Sequence, residues 1–228
     1  IYRDVLTDLN KEYNDFISKN EKTPKQEKNM PSMDELNGIR NKYRLEVLRQ
    51  NINLKVKYTK QDRDLYQKYL ISALYTLQPP VRLTYANMKI IRDLKDDDGK
   101  NNYLFIQGRN KKFFIFNTFK TQKSLGTIKQ PINKDLNKII NMWIKINPSD
   151  DFLLNKSGKA LTENSLGKML PKIFDVPNKT VTVNQIRHAY ISSMIDIEQE
   201  KKIQEKKKEL ATAMHHSVDM QEDYAKME

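Results

Sequence analysis

Apolar residues recur at the three-and-four spacing of an amphipathic helix in several stretches of this 228-residue chain. The first runs through Val5, Leu9, Tyr13 and Ile17. A second follows Ser32, which pairs with Glu35 as a capping box and is succeeded by Leu36, Ile39, Tyr43 and Val47 on one face. Over 61–77 the inward positions are Leu65, Tyr69, Leu70, Ala73, Leu74 and Leu77, and Gln78-Pro79-Pro80 stops the helix. Asn133 to Asn147 turns Leu136, Ile139, Ile140, Trp143 and Ile144 inward, with Trp143 a core residue. Thr162 caps a helix carrying Leu166, Met169, Leu170 and Ile173. Thr182 and Gln185 frame a further helix whose inward face is Ile186, Ala189, Tyr190, Ser193, Met194 and Ile197. Glu198 to Glu209 is dense in charge and reads as a solvated turn and helix.

The period changes in the middle of the chain. Met88, Ile90 and Ile91 run into an Asp96-Asp-Asp-Gly99 turn. Tyr103–Ile106 and Phe113–Phe116 are short β-rich runs on either side of Gly108-Arg-Asn110, and Thr127 to Ile132 alternates and can return as a strand. Phe119 to Gly126 lies between the last two as a polar turn. The expected fold is therefore mainly α with a small three-stranded antiparallel sheet, an α+β class. Glu21 to Met30 has no period, one Pro and many charges, and reads as a linker. Residues 1–30 are thus the last helix of a preceding helical domain plus a linker, and residues 31–228 the main domain. The chain opens on Ile rather than Met, so a preceding segment is expected.

Composition narrows the function. Lys and Arg number 41 against 29 Asp and Glu, a formal net charge of +12, which favours a polyanionic partner, nucleic acid before an acidic membrane surface. No apolar run approaches membrane-spanning length, so no membrane partner is expected. There is no Cys, which excludes disulfides and thiolate zinc sites. A nucleic-acid partner implies a reducing intracellular compartment where DNA is present. With three His and no carboxylate cluster of metal spacing, neither a metal nor another cofactor is expected.

The candidate chemistry lies toward the carboxyl end. Arg187 sits near the start of the Thr182-capped helix, where a cation opposes the helix dipole, and a bound phosphate would offset that opposition. Further on come Met214-His-His-Ser217 and then Tyr224. Upstream, Arg82 follows the Pro79-Pro80 break, and Lys120 stands in the polar turn as Lys-Thr-Gln-Lys123.

In this order the set resembles the tyrosine recombinase (integrase) family over roughly residues 31–228. The family text H-x-x-R, L-G-H-S and Y stands here as Asn184-Gln-Ile-Arg187, Met214-His-His-Ser217 and Tyr224. Pro80-Val-Arg82 and Leu-Thr84-Tyr85 replace the family's G-L-R-x-S-E, with the glycine and the acidic residue both changed. The resemblance implies a recombinase catalytic-domain-like fold and a site-specific recombinase or integrase. It would cleave and religate double-stranded DNA through a covalent 3′-phosphotyrosine, as a tetramer on DNA. It makes Tyr224 the nucleophile, Arg82 and Arg187 the phosphate clamp, Lys120 the general acid and His216 a hydrogen-bond donor to phosphate. Asn184 takes the usual histidine position, where it cannot accept a proton at neutral pH. His215 is the alternate to His216, and Lys123 to Lys120. Arg82, Lys120, Lys123 and Arg187 are also the expected DNA contacts. A type IB topoisomerase and a non-catalytic DNA-binding relative share enough of this pattern to stand as alternatives.

Overall fold

The computed structural model describes Thr7, residues 28–195 and 197–215, and Ser217 and Val218. Within them seven helices surround one four-stranded sheet. The helices are α1 (Met33–Arg49), α2 (Lys60–Leu74), α3 (Gln122–Leu125), α4 (Lys134–Ile146), α5 (Glu163–Ile173), α6 (Val183–Met194) and α7 (Ile197–Ala213). The strands are β1 (Lys89–Ile91), β2 (Tyr103–Gly108), β3 (Lys111–Phe116) and β4 (Ile128–Pro131), in that order across the sheet. None of the described helices is long and apolar enough to cross a membrane.

The helix starts follow from side chains that satisfy free amides. The Ser32–Glu35 box forms at α1, with Ser32 N donating to Glu35 Oε2 at 2.7 Å and Glu35 N to Ser32 Oγ at 3.1 Å. Thr59 and Asp62 form a second box at α2. Asn133 caps α4 and Thr162 caps α5. At α6, Gln185 Oε1 accepts from both the amide and the hydroxyl of Thr182, each at 2.6 Å. Helix α2 stops at Leu74, before the expected Leu77, and Tyr75 to Gln78 form a turn that leads into the proline pair.

The three-stranded antiparallel sheet expected from the sequence is in fact four-stranded and mixed. Strand β1 pairs parallel with β2, Lys89 opposite Tyr103, while β2–β3 and β3–β4 are antiparallel. The β region expected to open at Met88, Ile90 and Ile91 does begin there, but three residues are too few to display a period of two, and β1 is not among the strands expected of the sheet. Parallel pairing requires a crossover. Residues 92–102 supply it through a 3₁₀ turn, Leu94–Asp96, capped by Asp93, and through Asp97 and Asp98, which accept from Gly99 N and Lys100 N. The outer side of β1 is occupied too: Ile90 N donates to Asp150 O, and Phe152 N to Met88 O.

The two faces of the sheet are unequal. Leu104, Phe114 and Phe116 join the main core with Leu70, Leu74, Tyr85, Trp143, Phe152 and Leu170. Tyr103, Phe105 and Ile115 form a small separate cluster with Ile91. Trp143 is fully packed, its indole N–H donating to Phe152 O at 2.7 Å. One cation joins the core face. Lys112 is 3% exposed, and its ammonium donates to Arg109 O (2.6 Å), Asn141 Oδ1 (2.7 Å), Asn137 Oδ1 (2.9 Å) and Gly108 O (3.3 Å). Burial pushes its pKa down.

Two further expectations change. The inward face of α6 is narrower than its apolar pattern suggests: Ile186 and Ala189 are buried, but Ser193 is exposed and Met194 is 66% exposed. The polar turn 119–126 contains the single helical turn α3, and Gly126, at φ +66°, ends it.

Candidate active site

The Arg82 segment is fixed from below by tyrosines. The Tyr75 hydroxyl, at the end of α2, donates to Arg82 O at 2.7 Å. Gln78 Nε2 donates to the Tyr85 hydroxyl at 2.8 Å, and the Tyr75 and Tyr85 rings meet edge-on, centroids 5.7 Å apart. Tyr85 also packs edge-on against Phe114 and Phe116 of β3. Burial holds both phenols well above their usual pKa, so they act as neutral hydrogen-bonding groups. Asn87, at φ 53°, turns the chain out of this segment, and its amide donates to Leu161 O. The backbone at residue 82 is thus anchored, while the Arg82 side chain is exposed.

Arg187 is the fifth residue of α6 and half-buried. It lines a shallow cleft of about 250 Å³ with Pro79, Pro80, Tyr190, Ile191, Met194 and Ile195. The helix bearing one expected arginine therefore lies against the proline step from which the other follows. The loop before α6 is tied to α1. Lys179 Nζ contacts both Glu35 oxygens at 2.8 Å, and Thr180 N donates to Asn29 Oδ1 at 3.0 Å. Glu35 thus serves the α1 cap and the α6 approach together. The Lys179 bond, then the Ser32 amide, holds its pKa below the usual value.

Lys120 stands exposed in the turn from β3 to β4, and Lys123 is exposed on α3. The neck of that turn is dense with hydrogen bonds. Asn102 Oδ1 accepts from Asn117 N and Thr118 N, both at 2.9 Å, and Asn102 Nδ2 donates to Thr118 O at 3.0 Å and Thr84 O at 3.3 Å. Asn117 Nδ2 donates to Asp97 Oδ1 and Asn101 O, and the Thr127 hydroxyl donates to Asn117 Oδ1. The Thr118 hydroxyl donates to Lys100 O.

Asn184, second residue of α6, is exposed one helical turn before Arg187, so the two share a face. His215 is exposed at φ 57°, just past α7, its amide donating to Thr212 O. His216 and Tyr224 lie outside the described residues. The segments that carry Arg82, Lys120, Arg187 and Asn184 are linked by the Pro79–Pro80 cleft and by Asn102. His215 sits at the far end of α7 from α6. Among the described residues no group of His, Asp and Glu could hold a metal ion.

Sequence reasoning missed the supporting residues Tyr75, Gln78 and Asn102. Each acts across a turn or a strand gap that no local period reports. The chemistry available is that of exposed, permanently charged or ammonium donors on anchored backbone, suited to holding an anion. No family model, curated protein or solved structure matches this chain.

Proposed function

We propose that the chain is the catalytic domain of a tyrosine recombinase-type DNA strand transferase, with a recombinase-like architecture built on its mixed α/β fold. One observation carries the reading. Arg187 lies against the proline step that leads to Arg82, and one asparagine joins the Arg82 segment to the neck of the Lys120 turn. These contacts, which the resemblance did not use, link the segments that carry three of its members and support the reading.

The chemistry follows from the charges. Cleavage of a phosphodiester places negative charge on a five-coordinate phosphorus. Arg82 and Arg187 offer forked donors to its non-bridging oxygens, and preorganised donors of this kind are usually the largest catalytic contribution. Tyr224, placed by its position in the motif, attacks phosphorus. Its phenol gives up its proton to water, the Oη–P bond forms and the P–O5′ bond breaks. Lys120 delivers a proton to the departing O5′. The covalent 3′-phosphotyrosine keeps the energy of the broken bond, so the reverse attack by a 5′-hydroxyl religates DNA without ATP. Duplex DNA is the partner, and exchange between two duplexes calls for a tetramer.

The test is covalent trapping. The full chain is incubated with nicked duplexes carrying randomised arms, and the mixture is run on a denaturing gel. A protein–DNA adduct that disappears in Tyr224→Phe is expected. An adduct that persists in Tyr224→Phe refutes the assignment of the nucleophile. Relaxation of supercoiled plasmid irrespective of sequence would replace the recombinase by a topoisomerase.

A further inference from the structure

The turn that carries Lys120 projects from the sheet. Strand β3 ends at Phe116 and β4 begins at Ile128, and Lys120, Thr121, Lys123, Ser124 and Leu125 are all exposed. The direction of such a projection is set at its base. There, Asn102 uses all of its hydrogen-bonding capacity, two donor hydrogens and two acceptor lone pairs. Its oxygen and one of its hydrogens hold Thr118, and its other hydrogen reaches Thr84 O at 3.3 Å. Thr84 is two residues after Arg82, and Thr118 is two residues before Lys120. Both ends of the bridge are backbone atoms, so the amide fixes chain positions rather than side-chain rotamers.

We propose that Asn102 is a positioning residue that sets the span between Arg82 and Lys120. It thereby places the Lys120 ammonium at the leaving oxygen of a phosphodiester held by Arg82. This rests on the strand-transfer reading above. The accepting side of Asn102 is separable from its donating side. In Asn102→Asp the carboxylate still accepts from the amides of residues 117 and 118, but it cannot donate, and it faces two carbonyl oxygens. The neck keeps its two bonds from the amides of residues 117 and 118, while the donor bonds to Thr118 O and Thr84 O are both lost.

A pair of substrates that differ in one atom separates positioning from general structural damage. Nicked duplexes with randomised arms are made with either oxygen or sulfur at the 5′-bridging position of the scissile phosphate. An alkoxide needs a proton in order to leave. A thiolate, whose acid has a pKa of roughly 8.5, does not. For Asn102→Asp, single-turnover adduct formation on the oxygen substrate is expected to fall about tenfold or more, within the range that general acid catalysis supplies. The sulfur substrate is expected to react at the wild-type rate, and Lys120→Ala to show the same split. Asn102→Ser, whose single hydroxyl is too short to span Thr118 and Thr84, serves where the Asp variant does not fold, with the same split expected. Equal slowing on both substrates, or none on either, overturns the positioning role. No adduct from the wild-type chain on either substrate overturns the strand-transfer reading, and this inference with it.

Discussion

Replacing Lys112 by Met tests whether the buried ammonium holds the β2–β3 hairpin to α4 or weighs against the fold. Met keeps an unbranched stem in the same slot and removes the charge. Arg109 O would retain Asn137 Nδ2 at 3.2 Å and Asn141 Nδ2 at 3.0 Å, so it stays satisfied. Asn141 is half-buried and can turn its oxygen to water, whereas Asn137 is 7% exposed and its Oδ1 loses the ammonium. A buried acceptor left unpaired costs about 1–3 kcal/mol, and each charge-assisted bond lost contributes about 1.5–3 kcal/mol. Against this stands the relief of an ammonium held out of water with no carboxylate beside it, on the order of several kcal/mol. The expected net is a loss of about 2 kcal/mol, which for a chain of this size lowers Tm by about 4–8 °C. Thermal and urea unfolding followed by circular dichroism give the value. A Tm equal to or above wild type would refute the reasoning and make Lys112 a net burden. The double variant Lys112→Met/Asn137→Leu should recover most of the loss, because it removes the buried acceptor and leaves only the long contact to Gly108 O and the water-accessible Asn141 Oδ1 without the ammonium. The pH dependence has a fixed sign. The folded-state pKa lies below the ordinary 10.5, so between the two values the unfolded chain binds the extra proton. This group's contribution to stability therefore rises with pH across that window, and the gap between wild type and Lys112→Met should widen there.

Three further outcomes are expected. Arg187→Ala should lower adduct formation by roughly two to three orders of magnitude, the loss typical of one oxyanion donor, with an unchanged melting temperature. Glu35→Gln should flatten the acid limb of stability. The Glu35 pKa is depressed below 4.5, so its contribution is complete above that pH and is lost as pH falls through the folded value. Acid titration of the two proteins by circular dichroism makes the comparison. DNA affinity measured by fluorescence anisotropy should fall steeply with salt, and Lys123→Ala should reduce the log–log slope by about one if that side chain contacts phosphate. An unchanged slope would remove Lys123 from the interface.

The helical frame was readable because its signals are local. Ser32 with Glu35, Thr162, and Thr182 with Gln185 mark helix starts that the structure contains, and the inward faces of α4 and α5 follow their period. Lys112 was also within reach. It stands two and four residues before Phe114 and Phe116, so strict alternation puts it on their face, although the apolar run itself begins only at Phe113. Strand β1 was readable only as the apolar opening of the β region, since at three residues it gives neither a period nor a pairing direction. Asn102 was not readable, because its partners lie 15 to 18 residues away on two different segments. In α6, the exposed Met194 misleads the periodic reading, since it lines the Arg187 cleft beside Ile191 rather than the core.

The margins of the sheet limit how copies of this chain could join. On one side, residues 150–152 already occupy β1's backbone groups. On the other, β4 spans only four residues, with Lys129 outward and Pro131 offering no amide hydrogen. A neighbouring molecule would find little there to extend strand by strand. Among the described residues, association of copies would then fall to helix and loop surfaces, leaving the strands unjoined.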